Sequence, residues 1–285
     1  MNSVNIITLA TCFNRSEKTI NCLEILHKVV APECVNIEHV IVDDRSTDGT
    51  PERIKTLFPS VTLLSTNGDC YWAGGMRFGW DNLVCKKQFD YLIVYNDDGD
   101  FFLDVLEGYI ELLVSGDLSE DSIYVGGFNS IDDAKVTYGG RVRRTILHPL
   151  FTRLVIPSGK LEKVDNLNMN FAIIPNKILN SIGFLSKDFK HGQADFDYGL
   201  RACENNIDIY LLPYLVGRCD HNNIAGTSLE RGISLRERFK RLVSIKEQPV
   251  KQLVALYRGR SRLWPIFVLL PFLKIIIAHI GLRFK

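Results

Sequence analysis

Several acidic and small-residue runs in this sequence have the composition of a chemical site. Asn96-Asp97-Asp98 is the densest of them. Adjacent carboxylates repel unless a cation or hydrogen-bond donors hold them. Hard carboxylate oxygens suit magnesium or manganese, which can bridge two phosphates. The same run also reads as a polar turn in which Asp98 caps the next helix. Asp43-Asp44 offers acceptors for a base and a ribose, or an Asx-turn. Ala73-Gly74-Gly75, with Gly79 one turn on, lets backbone amides approach a phosphate or a sugar; tight helix–sheet packing is the alternative. In residues 191–201, helical spacing pairs Asp197 with Arg201 at i,i+4 and turns Asp195 away from that pair. Asp195 is then free as a proton acceptor, or serves as an N-cap. His221 is a further candidate, as a metal ligand or as a structural histidine.

These runs need a scaffold that brings them to one edge. Residues 5–10, 39–42, 61–65 and 91–95 have the β-branched and apolar character of short strands. Residues 16–30 have helical spacing at Ile20, Leu23, Ile25 and Leu26. Thr50-Pro51 predicts a helix start with Thr50 as N-cap, a third helix opens at 74–79 and runs to about residue 87, and a fourth spans 102–114. Alternation at this spacing predicts a mostly parallel sheet with helices on both faces. Ligands bind such a sheet beyond the carboxyl ends of its strands. Here every strand end is polar: Thr11 to Arg15, Asp43 to Gly49, Asn67 to Gly75, and Asn96 to Asp100. The second half reads as strands at 123–125, 163–175 and 207–212, with helices at 175–182 and 194–205.

The 285 residues carry a formal net charge of +1, so nothing global points to nucleic acid. The charge is unevenly placed. Residues 231–285 hold a net of +11, and the remainder −10. A basic tail suits an anionic membrane or a phosphorylated acceptor. Residues 264–282 are apolar but broken by Pro265, Pro271, Lys274 and His279, which disfavours a spanning helix and suits an interfacial one. A helical cap packed on the body is the competing reading. The seven cysteines are scattered, without C-x-x-C or zinc spacing, and read as reduced residues of a cytosolic protein. Residues 1–5 run straight into a strand and have no secretory character.

Taken together, residues 6–15, 39–50 (HVIVDDRSTDGT), 67–79 (NGDCYWAGGMRFG), 91–98, 168–175 (NMNFAIIP) and 191–201 (HGQADFDYGLR) resemble family 2 of the glycosyltransferases. The resemblance covers about residues 4–225, and the tail looks like the extension of one bacterial subgroup. It implies the GT-A fold, with a catalytic domain over 1–226. A nucleotide-binding half would cover about 1–115 and an acceptor half 116–226, with 227–285 as a basic extension. Thr11 and Asp44 match positions that contact the nucleotide; Asn14, Asn67, Gly74, Gly75 and Asp97 group with them on the donor side. Asp98 matches the metal-holding acid of the family's D-x-D-like motif, and His221 a histidine that can join it, implying Mn2+ or Mg2+ as cofactor. Asp195 matches the general base. Two positions depart from the pattern: the usual Glu before the base is Ala194, and the D-x-D motif reads Asn-Asp-Asp.

The activity this implies is transfer of a sugar, with inversion, from a UDP- or dTDP-sugar to a hydroxyl of a glycan or lipid-linked acceptor. The setting would be bacterial surface polysaccharide or glycolipid synthesis, in the cytoplasm or on the cytoplasmic face of the inner membrane. A pyrophosphorylase would need a Gly-rich basic loop after the first strand. An acid-nucleophile phosphatase would need its aspartate pair there. Neither pattern is present. A catalytically degenerate carbohydrate-binding or scaffold protein is the non-enzymatic alternative, against which Asp98 and Asp195 argue.

Overall fold

The structure, a computed structural model, describes residues 3–221 and 224–281. Met1 and Asn2, the start of the segment read as leaderless, and Leu282, the end of the apolar segment, lie outside the described residues. The first half alternates as the periodicity predicts: β1 (Val4–Cys12), α1 (Ser16–Lys28), β2 (Val35–Asp43), α2 (Thr50–Leu57), β3 (Thr62–Ser65), α3 (Tyr71–Asn82), β4 (Tyr91–Tyr95), β5 (Asp100–Phe101) and α4 (Leu103–Ser115). Then follow β6 (Ser122–Asn129), β7 (Val136–Tyr138), β8 (Gly140–Arg143), β9 (Thr152–Leu154), β10 (Glu162–Val164), β11 (Asn166–Leu167), β12 (Phe171–Pro175), α5 (Asn176–Ile182), α6 (Ala194–Glu204) and β13 (Asp208–Arg218). The extension folds into α7 (Leu235–Leu242), α8 (Val250–Tyr257) and α9 (Trp264–His279).

The main sheet runs in the order β10-β13-β6-β12-β4-β1-β2-β3. β1, β2, β3 and β4 are mutually parallel, and β6 and β13 share their direction because β12, antiparallel to both β4 and β6, stands between the two groups. The central strands are buried on both faces, which is why they read as continuous apolar runs. One face of the sheet packs against α1, α2 and α4. The other packs against α3, α5 and α6, and also against Leu253, Leu256 and Tyr257 of α8 and Phe267 and Val268 of α9. The extension therefore shares a core with the body.

Register aligns the site. Thr11 pairs with Val42 and Cys12 with Asp43, while Leu9 pairs with Val94, so the residues after β1, β2 and β4 emerge level with one another. Because β12 runs the other way, its N-terminal side reaches the same edge, where the Asn96 N–H donates to the Asn170 carbonyl at 3.0 Å.

Three expectations are corrected. Thr50 is not the N-cap of α2: Gly49, at φ 80°, holds that position, and the Asp48 carboxylate accepts from the Thr50 N–H instead. The helix expected to open at Gly74 begins at Tyr71, and only a short 3-10 turn follows its end at Asn82. The strand expected over 163–175 divides into β10, β11 and β12, because the polar stretch Asn168-Met169-Asn170 leaves the ladder to line the site.

Candidate active site

A cleft of ≈ 820 Å³ opens at this edge, within the size range of small-molecule sites. Thr11, Asn14, Asp44, Asp97, Asp98 and Asp195, six of the residues singled out in the sequence, line it together. Asn67, Gly74, Gly75 and His221 are not among its lining residues.

Asp97 and Asp98 leave β4 in opposite environments. Asp97 is buried and accepts from Thr19 Oγ1 at 2.8 Å. Burial pushes its carboxyl up to about 6, an effect that the neighbouring Arg15 guanidinium opposes. Asp98 is more open to the cleft. Arg15 Nη1 reaches both carboxylates, at 3.3 Å from Asp97 Oδ1 and 2.9 Å from Asp98 Oδ2. The cation that the acidic pair demands is thus supplied by the chain itself. Cys219, at the end of β13, places Sγ 3.9 Å from Asp98 Oδ1. Burial and the Asp98 charge push this thiol up to about 12, so it sits there protonated. His221 is exposed, with its ring 5.3 Å from that of Tyr138, a cleft residue. Among the described residues there is no group of three His, Cys, Asp or Glu side chains able to hold a metal alone.

Asp44 is a structural anchor as well as a wall residue. Its carboxylate accepts from the Cys70 N–H at 2.9 Å, the Tyr71 N–H at 2.8 Å and the Thr66 hydroxyl. These bonds hold a loop in which Gly68, Asp69 and Tyr71 all have positive φ, a conformation costing roughly 1–2 kcal/mol for a residue with a side chain. Asp43 accepts from the Ser46 N–H at 3.0 Å, and the Asx-turn before α2 is formed by Asp48, which accepts from the Thr50 N–H at 3.2 Å. Asn14 joins the loops after β1 and β2: its side chain accepts from the Thr47 N–H at 2.7 Å. Gly75 is required by packing, whereas a Cβ on Gly74 would make only ordinary contacts. A Cβ on Gly75 would lie 2.5 Å from Thr11 Oγ1, and the Gly74 N–H is already donated to the Lys190 carbonyl. Asn67 offers its carbonyl to Arg45.

Asp195 enters from the first turn of α6. Its carboxylate accepts from the Phe196 N–H at 2.9 Å and from Asn168 Nδ2 at 3.3 Å, and burial raises its pKa above the ordinary carboxylate value. Asp197 points away, as helical spacing predicts. It pairs with Arg201 at 3.0 Å, and Arg260 of the extension adds a second contact at 2.9 Å. Arg201 also donates to the Ile182 and Phe184 carbonyls, tying α6 to the end of α5.

Several cleft residues went unassigned in the sequence. Arg15 stood within the polar run after β1, but nothing local indicated its partners. Asn168 stood in a stretch read as strand. Lys246 arrives from the extension and lines the cleft, and no local pattern could announce a contact made across that much chain. Burial lowers the His191 pKa, and the charges of Arg15 and then Lys246 add to it. Trp72 Nε1, Asn96 Oδ1 and His191 Nδ1 are buried in the cleft wall without a protein partner among the described residues, a demand that a bound polar ligand can meet.

Comparison with known proteins agrees with this geometry. The model of glycosyl transferase family 2 matches residues 9–181. A comparison with curated protein sequences returned no match. Among solved structures, residues 1–349 of S. aureus TarS in complex with UDP-GlcNAc superpose with a TM-score of 0.52 at 13% identity, covering 97% of this chain and 73% of that one. The mannosyltransferase PcManGT from Pyrobaculum calidifontis, in complex with GDP-Man and Mn2+, gives 0.53 at 14% identity, covering 99% and 71%. GalNAc-T7 with UDP, GalNAc and Mn2+ gives 0.57 at 12% identity, covering 85% of this chain and 48% of that one. At these identities the likeness is one of fold, and it bears out the GT-A architecture that the sequence motifs imply. With the family model spanning well over half of its length, the chain belongs to glycosyl transferase family 2.

Proposed function

We propose that the protein is an inverting, metal-dependent glycosyltransferase that moves a sugar from a UDP- or dTDP-sugar to an acceptor hydroxyl. The observation that carries this is the meeting of Asp97, Asp98 and Asp195 in one cleft at the carboxyl edge of the sheet.

In this reading Thr11, Asn14, Asp44 and Asp97 form the donor side, with Asp97 almost wholly enclosed and both its oxygens held by Arg15 and Thr19. Asp98 presents a hard, partly exposed carboxylate beside it, which fits magnesium or manganese. Such ions are held by one or two carboxylates, with phosphates and water completing the shell. A bound ion there would neutralise charge on the departing nucleoside diphosphate. The bound Mn2+ of PcManGT and GalNAc-T7 supports this reading. Cys219, a thiol held protonated, is a poor ligand in this state, and His221 would have to turn from Tyr138 to join.

Asp195 is the base. Asn168 and the Phe196 N–H fix its orientation, and its raised pKa makes it a better proton acceptor than an ordinary aspartate. The acceptor oxygen forms a bond to the anomeric carbon as the bond to the diphosphate oxygen breaks, and the acceptor proton passes to Asp195. One displacement inverts the anomeric configuration. The acceptor we favour is a glycan or lipid-linked glycan of a bacterial surface polymer, met at the cytoplasmic face of the inner membrane.

Melting the protein with a panel of nucleotide sugars, with and without Mn2+, tests the donor assignment, since a ligand that binds the folded state raises apparent stability. A metal-enhanced shift with one UDP- or dTDP-sugar is expected. No shift with any member of the panel overturns the donor reading.

A further inference from the structure

Helix α9 turns one face inward and leaves the other bare. Phe267 and Val268 are buried in the core of the body, and Ile275 on the same side is buried as well. On the opposite side Ile266, Leu269, Leu273, Ile276 and Ile280 are 53%, 63%, 51%, 41% and 62% exposed. Their spacing of three and four residues puts them within an arc of about 80° at about 100° per residue. Five large aliphatic side chains in one exposed stripe form a contiguous patch of the kind that marks an interaction site.

The charge around the stripe indicates what covers it. Residues 248–285 contain seven Lys and Arg and no Asp or Glu. Lys251, Arg258, Arg262 and Lys274 are exposed, and so are Arg236 and Lys240 of α7, which packs on α9. At about 1.5 Å per residue the helix is roughly 24 Å long, short of a hydrocarbon core. Among the described residues no helix is long and apolar enough to cross a membrane.

We infer that the exposed stripe of α9 lies in the interfacial layer of an anionic lipid bilayer, with the flanking Lys and Arg at the headgroup phosphates. Apolar burial supplies the anchor and the basic flanks select the anionic surface. A second copy of the chain fits the stripe less well, because self-pairing would bring these basic flanks together, and Glu237, the acid of α7, is already paired with Arg241. The inference is independent of the catalytic reading, since none of the stripe residues lines the cleft.

The test is flotation of the full chain with vesicles of phosphatidylcholine alone and of equal parts phosphatidylcholine and phosphatidylglycerol, at low and high salt. The wild type is expected to float with the mixed vesicles only, and less so at high salt. Leu269→Glu with Leu273→Glu, both on the exposed face, should reduce the bound fraction by about tenfold or more. Arg258→Ala with Arg262→Ala and Lys274→Ala should remove the salt-sensitive part without touching the stripe. The inference is overturned if the wild type never floats, or if both variants float as it does. A dimer in light scattering that the Leu269/Leu273 variant dissociates, without flotation, likewise overturns it in favour of self-association. Nucleotide-sugar melting shifts measured on the same samples keep a failed membrane interface distinct from a failed catalytic assignment.

Discussion

Arg15 Nη1 lies 2.9 Å from Asp98 Oδ2 and 3.3 Å from Asp97 Oδ1, so one guanidinium spans the carboxylate assigned to the metal and its buried neighbour. The Arg15 side chain is 45% exposed and has room to leave. An ion held by Asp98 would compete with Arg15 for that carboxylate. Arg15→Ala should therefore bind Mn2+ more tightly than wild type in the absence of nucleotide, by about two- to fivefold for a partly exposed pair. Electron paramagnetic resonance titration of free Mn2+ reads this directly. Equal affinities would show that Arg15 does not guard the site.

Asp98→Asn should leave the fold intact, because Asp98 carries little of the core, and should lower kcat/KM by about 100-fold or more with loss of divalent-ion dependence. Assays in excess chelator make the comparison. Normal transfer by this variant in chelator would remove Asp98 from the metal assignment.

Asp195→Asn should lower kcat by about 10²- to 10⁴-fold and leave donor affinity nearly unchanged, since the base acts on the acceptor. The wild-type rate should rise with pH as Asp195 ionises. Because burial raises its folded pKa, that acidic limb lies above the ordinary carboxylate range. Asn168→Ala, which removes one hydrogen bond to the ionised form, should move the limb higher still. A limb at the pKa of a free aspartate would contradict the assignment.

Asp197→Asn should act on stability. The side chain is buried and answers both Arg201 and Arg260. Removing one partner of a buried ion pair costs about 3 kcal/mol, and here it also loosens the extension from α6. Denaturant unfolding measures the loss. A stable but inactive Asp197 variant would show that the base had been placed one residue pair too early.

Much of this arrangement was legible because parallel strands covered on both faces read as unbroken apolar runs. The runs that became β1, β2 and β4 stand out for that reason, and the polar residues after them mark the edge. Direction was not legible: Phe171–Pro175 has the same apolar composition as its parallel neighbours, yet β12 runs against them. Asp44 and Gly75 were picked out by type, but their partners lie at Cys70, Tyr71 and Thr11, contacts that exist only once loop and helix have closed on the sheet. Lys246 and Arg260 reach the cleft and Asp197 from the extension, and tertiary packing alone brings them there.

The most direct test of the account is the anomeric configuration of the product. With the donor that stabilises the protein, Mn2+ and a lipid-linked glycan acceptor, proton NMR of the early product should show the configuration opposite to that of the donor. Asp195→Asn should form little of it. A product that retains the donor's configuration would contradict the single displacement and the role given to Asp195.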